Sequence, residues 1–145
     1  MKKLIIMIGC VLLTCMPNVH ARNDFKEFSI ESAFNLDAYK NKLGDDIKFY
    51  FGKKHRGRVV KTHGTWPTQK KTNAFNKTDE YACQWALLSA LLSLKKRAKS
   101  EGGNAVINIK TNNDHNERSS SETFQCEVGN IIASVALVGT VVTLD

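Results

Sequence analysis

The chain opens with a segment expected to be removed before folding. Lys2 and Lys3 give a positive start, Leu4 to Leu13 is an apolar run without a charge, and Pro17 ends it. Val19-His20-Ala21 then supplies a small-residue cleavage pattern, so residues 1–21 are expected to be an export signal of bacterial type and the mature chain to begin at Arg22. The apolar run is too short to span a bilayer as a stable helix. Met7-Ile8-Gly9 precedes Cys10 and Leu12-Leu13-Thr14 precedes Cys15, neither a good lipid-attachment motif, so a lipid anchor is disfavoured. What remains, residues 22–145, is one domain's worth of chain, expected to fold in the periplasm or beyond the cell.

That compartment sets the reading of the cysteines. Only Cys83 and Cys126 survive processing. An even count in an oxidising environment predicts one disulfide between them. By loop-closure entropy such a crosslink stabilises the fold by about 4 kcal/mol. No Cys-x-x-Cys pair is present, which excludes a redox-active dithiol of that kind. The mature chain has 19 basic against 14 acidic residues, a net charge of +5. An exported basic protein meets anionic surfaces such as lipid headgroups, cell-wall polymers and nucleic acid.

The pattern along the chain predicts an α+β fold. Residues 25–30 alternate loosely as a short strand, and Asn35 reads as the cap of a short helix over 36–43 that Gly44 ends. Residues 47–51 alternate as a half-buried strand. Gly52 to Arg58 reads as a basic turn, Val59 to Thr65 as the returning strand, and Trp66 to Lys77, polar and containing Pro67, as a loop. Residues 79–100 are the clearest element. Thr78 is the expected N-cap, Asp79 and Glu80 suit the helix dipole, and Trp85, Leu88 and Leu92 recur at helical spacing beside Leu87, Leu91 and Leu94. Gly102 is the natural residue just past its end. Strands follow at 105–110 and 122–128, separated by a polar loop at 111–121. Residues 131–144, rich in Val and Ile, read as the central or longest strand, kinked at Gly139. The expected architecture is one main helix packed on a largely antiparallel sheet of four or five strands, plus a short N-terminal helix. Cys83 and Cys126 would tie the two layers together.

Enzyme signatures are missing. There is no Gly-x-Ser-x-Gly elbow, no His-Glu-x-x-His, no zinc-ligand spacing and no phosphate loop. Asp114 and His115 are the best weak metal ligands, and an ordinary polar loop explains them better. No catalytic residue, cofactor or metal site is expected. The basic residues carry more. Lys53, Lys54, His55, Arg56, Arg58 and Lys61 fall within nine positions, and Trp66, Lys70 and Lys71 follow. Cations around a turn contact phosphates, and a nearby indole sits at headgroup depth. The candidate anion-binding set is therefore Lys53, Lys54, Arg56, Arg58, Lys61, Trp66, Lys70 and Lys71. A second cluster, Lys95 to Lys99, is explained by the C-terminal end of the helix dipole.

The stretch Lys70-Lys71-Thr72-Asn73-Ala74-Phe75, the helix 83–91 and the junction Glu101-Gly102-Gly103-Asn104-Ala105-Val106, with Lys48-Phe49-Tyr50-Phe51-Gly52, resemble a family of small exported bacterial proteins. Its members often carry the label "excinuclease ATPase subunit". That label implies nucleotide binding and DNA repair, whereas this chain has an export signal and no phosphate loop, so we read the label as an error of name transfer. The junction is also similar to RcsF-like envelope-stress lipoproteins and to YbjQ-type domains, which implies an α+β fold without catalysis.

Together these readings predict a non-enzymatic exported protein. Its expected partner is an anionic membrane headgroup, phosphoinositide or phospholipid, or another polyanion, with nucleotide excluded and nucleic acid disfavoured. The alternative is an envelope or stress-sensing module acting by protein contacts. No sequence feature sets an oligomeric state. Calorimetric titration with magnesium-ATP is expected to show no binding heat, and micromolar affinity would overturn this reading.

Overall fold

A computed structural model describes residues 21–145; the expected export signal, apart from Ala21, lies outside them. The fold is α+β. In chain order it comprises β1 (Asp24–Ser29), α1 (Ile30–Phe34), α2 (Asp37–Leu43), β2 (Lys48–Phe51), β3 (Val59–Asn73), α3 (Asp79–Glu101), β4 (Ala105–Asn113), β5 (Asn116–Arg118), β6 (Thr123–Val128) and β7 (Ile132–Leu144). The seven strands form one sheet, more than the four or five expected. Its path runs β1-β6-β7-β4-β2, with β3 on the other edge of β7 and β5 on β4. All pairings are antiparallel except β2 with β4.

Helix α3 forms where the sequence places it. The Thr78 hydroxyl accepts from the Tyr81 N–H, and Gly102 ends the helix at φ 77° with its N–H bonded to Ala98 and Lys99 carbonyls. Ala82, Cys83, Ala86, Leu87, Ala90, Leu91, Leu94 and Ala98 are fully buried, and the alanines let the helix sit close on β3 and β7. The Cys83–Cys126 disulfide joins α3 to β6 across this contact, with Cα atoms 5.9 Å apart. Helices α1 and α2 pack beside α3. The Tyr39 hydroxyl donates to the Gln84 carbonyl at 2.5 Å, and burial pushes its pKa well up. Asn35 does not cap α2; that position falls to Leu36, which has no capping side chain, and Asn35 instead closes α1, whose cap is Ser29.

Strand β7 is the centre of the sheet, flanked along its whole length by β3. Its other edge is shared: β4 pairs with residues 137–142 and β6 with residues 133–134. Asn113, buried where β4 stops, bridges the gap. Its Oδ1 accepts from the Ala136 N–H at 3.3 Å, and its Nδ2 donates to the Gln125 carbonyl at 3.3 Å. Asn104 does the same at the other end of β4, donating to the Leu144 carbonyl and accepting its N–H, both at 2.8 Å. Gly103, just before it, leaves no space for a side chain: an added Cβ would lie 2.6 Å from Val141 Cγ1 and 2.8 Å from the Val142 carbonyl.

Several expectations need correction. The residues after Trp66 are not a loop: β3 continues through Pro67 to Asn73. As an outer strand it bonds along one side only, so a proline costs it no ladder bond. Pro67, Lys61, Lys70 and Lys71 also discourage pairing of that edge with another chain. Strand β3 does not return beside β2, because β7 and β4 lie between them. The polar loop expected at 111–121 contains the end of β4 and β5, joined by a two-residue turn at Asp114 and His115, both at positive φ. Strand β7 passes Gly139 in register with β3, and the irregularity lies in its partner. Strand β4 bulges between Ile107 and Lys110, with Asn108 at φ 56°, which turns both Val106 and Ile109 into the core.

Replacing Asn113 by Leu strands the buried Ala136 N–H and removes the bond to Gln125. We expect a stability loss of about 2–4 kcal/mol, read as a lower urea midpoint with an unchanged slope. A loss below about 0.5 kcal/mol would show that the carboxamide is dispensable.

Candidate functional site

The structure divides the candidate anion-binding residues among three places. Lys53, Lys54, His55, Arg56 and Arg58 are exposed on the connection from β2 to β3, and Lys61 is exposed at the start of β3. Arg58 is tied to Asp145 by bonds of 2.5 and 3.2 Å. Arg56 borders a groove that also holds Asp45, Asp46 and Asp145. Lys53, Lys54, Arg56 and Lys61 form no ion pair among the described residues. Between them Val59 and Val60 are exposed, Val60 at 59 %.

Lys70 and Lys71 do not join this group. They pair with Val135 and Ser134, whereas Lys61 pairs with Thr143. Nine residues of extended strand separate Lys61 from Lys70, about 30 Å at the usual rise. Near the far end of β3 they lie close in the chain to an exposed apolar tip formed by Phe75, Ile131 and Ile132, exposed at 61, 63 and 50 %. The Ala74 N–H donates to the Ile131 carbonyl at 2.7 Å, and the Phe75 N–H to Asn73 Oδ1 at 2.8 Å, so hydrogen bonds fix this tip.

Trp66 belongs to neither group. Its ring lies over Gly64, where an added Cβ would be 2.7 Å from the ring carbon Cη2. The Arg97 guanidinium covers the indole, 5.3 Å from its centroid, and bonds Glu101 at 3.1 Å. Trp66, Thr68, Ser93, Lys96, Arg97 and Ser100 line a groove of about 330 Å³ between β3 and α3. Lys96, Arg97 and the hydroxyl residues carried no site in the sequence reading, which credited 95–99 to the helix end. Once 66–73 is a strand, the helical spacing of Ser93, Arg97 and Ser100 puts all three on one face toward it.

Two carboxylates anchor the scaffold rather than a site. Asp79, at the start of α3, accepts from Arg22 and Lys26, and these hydrogen bonds hold its pKa below the ordinary carboxylate range. Asp46 accepts from Lys95 at 2.7 Å and from Lys99, which hold its carboxyl well below that range. Lys95 also donates to the Leu43 carbonyl at the end of α2.

Among the described residues no group of His, Cys, Asp and Glu is arranged to hold a metal ion, and no helix is long and apolar enough to cross a membrane. Compared with known proteins, the chain matches no family model, no curated protein and no solved structure.

Because both carboxylates titrate lower in the folded chain than in the unfolded one, their contribution is fully present above about pH 4. It is lost as the pH falls through their folded values. Thermal melts followed by circular dichroism should therefore show a midpoint that drops below about pH 4. In Asp79→Asn with Asp46→Asn that acid limb should flatten; an unaltered limb would assign it to other groups.

Proposed function

We propose that this is an exported, non-enzymatic protein that binds an anionic partner, most concretely the phosphorylated headgroup of a lipid, through residues 53–61. One observation carries the reading. Lys53, Lys54, Arg56 and Lys61 are exposed without an ion pair among the described residues, and Val59 and Val60 are exposed among them. A surface that offers cations to phosphates and apolar side chains to the layer beneath suits an anionic bilayer. The disulfide supports an oxidising compartment and so the export reading. Kinship with the small exported family rests on residues 48–52, 70–75, 83–91 and 101–106, of which the Gly-Gly-Asn-Ala-Val junction is the most specific.

A second reading is an envelope or stress-sensing module acting by protein contacts. The exposed tip of Phe75, Ile131 and Ile132 favours it, because rigidly presented apolar side chains mark contact surfaces. Ionic strength separates the two readings, since salt screens headgroup binding far more than a packed apolar interface.

The test is the Lys53→Ala, Lys54→Ala, Arg56→Ala variant. Each cation near an anionic membrane contributes about 1 kcal/mol, so affinity for vesicles containing phosphatidylinositol 4-phosphate should fall on the order of a hundredfold. The loss should shrink at high salt. Equal affinity of variant and parent, or no vesicle binding by either, would reject this surface.

A further inference from the structure

We infer that the groove between α3 and β3 is a binding site for a phosphate monoester, with Arg97 as its central ligand. This inference is independent of lipid contact by residues 53–61. Its basis is a preset guanidinium. The Trp66 ring covers one side of Arg97 and is itself seated over Gly64, while Glu101 holds one nitrogen at 3.1 Å. A guanidinium has five N–H donors, so Glu101 leaves most of the fork available to a ligand. Holding the fork in one plane before binding lowers the ordering cost of a two-point grip on phosphate oxygens.

The rest of the groove fits the same chemistry. Lys96 adds a second positive charge, and Ser93, Ser100 and Thr68 bring hydroxyls from both walls. Two cations against the single carboxylate of Glu101 select an anion. Donor-bearing residues lining the groove from two elements suit a group with three acceptor oxygens better than a carboxylate with two. A volume of about 330 Å³ admits a phosphate with a small organic substituent. The end of the helix dipole opposes an anion here, but that partial charge is weaker than charge-assisted hydrogen bonds from a guanidinium and an ammonium. The cations therefore prevail.

The ligand chemistry has two possible sources, a free phosphate ester or a lipid headgroup, and the experiment separates them. The oxidised protein, labelled with ¹⁵N, is titrated with glycerol 3-phosphate, with glycerol as control. Vesicles with and without phosphatidylinositol 4-phosphate form a parallel arm. Saturable shifts are expected at the Trp66 indole N–H and at the amides of Thr68, Ser93, Arg97 and Ser100. Arg97→Ala should weaken binding at least tenfold while the helix signal by circular dichroism is kept. Arg97→Lys should restore only part, because it keeps the charge without the fork. The Lys53, Lys54, Arg56 variant should bind glycerol 3-phosphate like the parent, so failure of the surface at 53–61 leaves this result intact. Binding of glycerol 3-phosphate supports a free ester; binding seen only with the phosphoinositide vesicles, and lost in Arg97→Ala, supports a headgroup. No saturable shift in either arm, or undiminished binding by Arg97→Ala, would overturn the inference.

Discussion

Strand β7 needs more backbone partners on one edge than any single strand provides, and two asparagine carboxamides make up the difference. An amide side chain carries the same donor and acceptor as a peptide group. Asn113 uses both where β4 gives way to β6, and Asn104 uses both beside Leu144. At Asn113 the bonded Ala136 N–H is buried, and such a group left without a partner costs about 1–3 kcal/mol, a sizeable share of a small domain's net stability. Much of the rest follows. Helix α3 must end at Gly102 so that Gly103 can pass flush against Val141 and deliver Asn104 to its position. The bulge at Asn108 then turns Val106 and Ile109 under the helix.

The charges separate into those that hold the fold and those that face outward. Arg22, Lys26, Lys95, Lys99 and Arg58 are committed to Asp79, Asp46 and Asp145. The net positive charge of the sequence is thus an unreliable guide to where a partner binds. Lys53, Lys54, Arg56 and Lys61 lack such a commitment among the described residues, as do Lys40, Lys42, Lys70, Lys71 and Lys96; what sets the four apart is the exposed Val59 and Val60 among them. Arg97 is a third case, held by a carboxylate and an indole but still open to a groove.

How much of this was legible depended on whether a signal was local. Helix α3 was readable because cap, stripe and terminal glycine are contiguous, and β7 because a long Val/Ile run has few other destinations. The Cys83–Cys126 bond followed from there being only two cysteines beyond the expected export signal. Strand β3 was not readable past Trp66. An outer strand with solvent on one edge can carry Thr, Gln, Lys and even Pro, so its composition imitates a loop. The path between β2 and β3 was missed for a related reason: two strands in succession suggest a hairpin, and nothing local announces that β4 and β7 will lie between them. The bulge at Asn108 broke a strict alternation that fitted 105–110 well. At the candidate site, the cations of 53–61 were visible because they are neighbours in the chain. The partnership of Trp66 with Arg97 was hidden, since 31 positions separate them and only the packing of α3 against β3 brings them together.

The strand that organises the sheet comes last in the chain. Until residues 132–144 exist, β3 has no neighbour, β4 and β6 share no edge, and α3 has only part of its floor. Contacts so distant in sequence form late, because the loops they close must first be drawn together. Without β7, β1 can still pair with β6, and β2 and β5 with β4, but nothing joins these groups into one sheet and β3 stays alone. Joining of the sheet thus depends on one strand: β7 draws β3 and the two separate strand groups together.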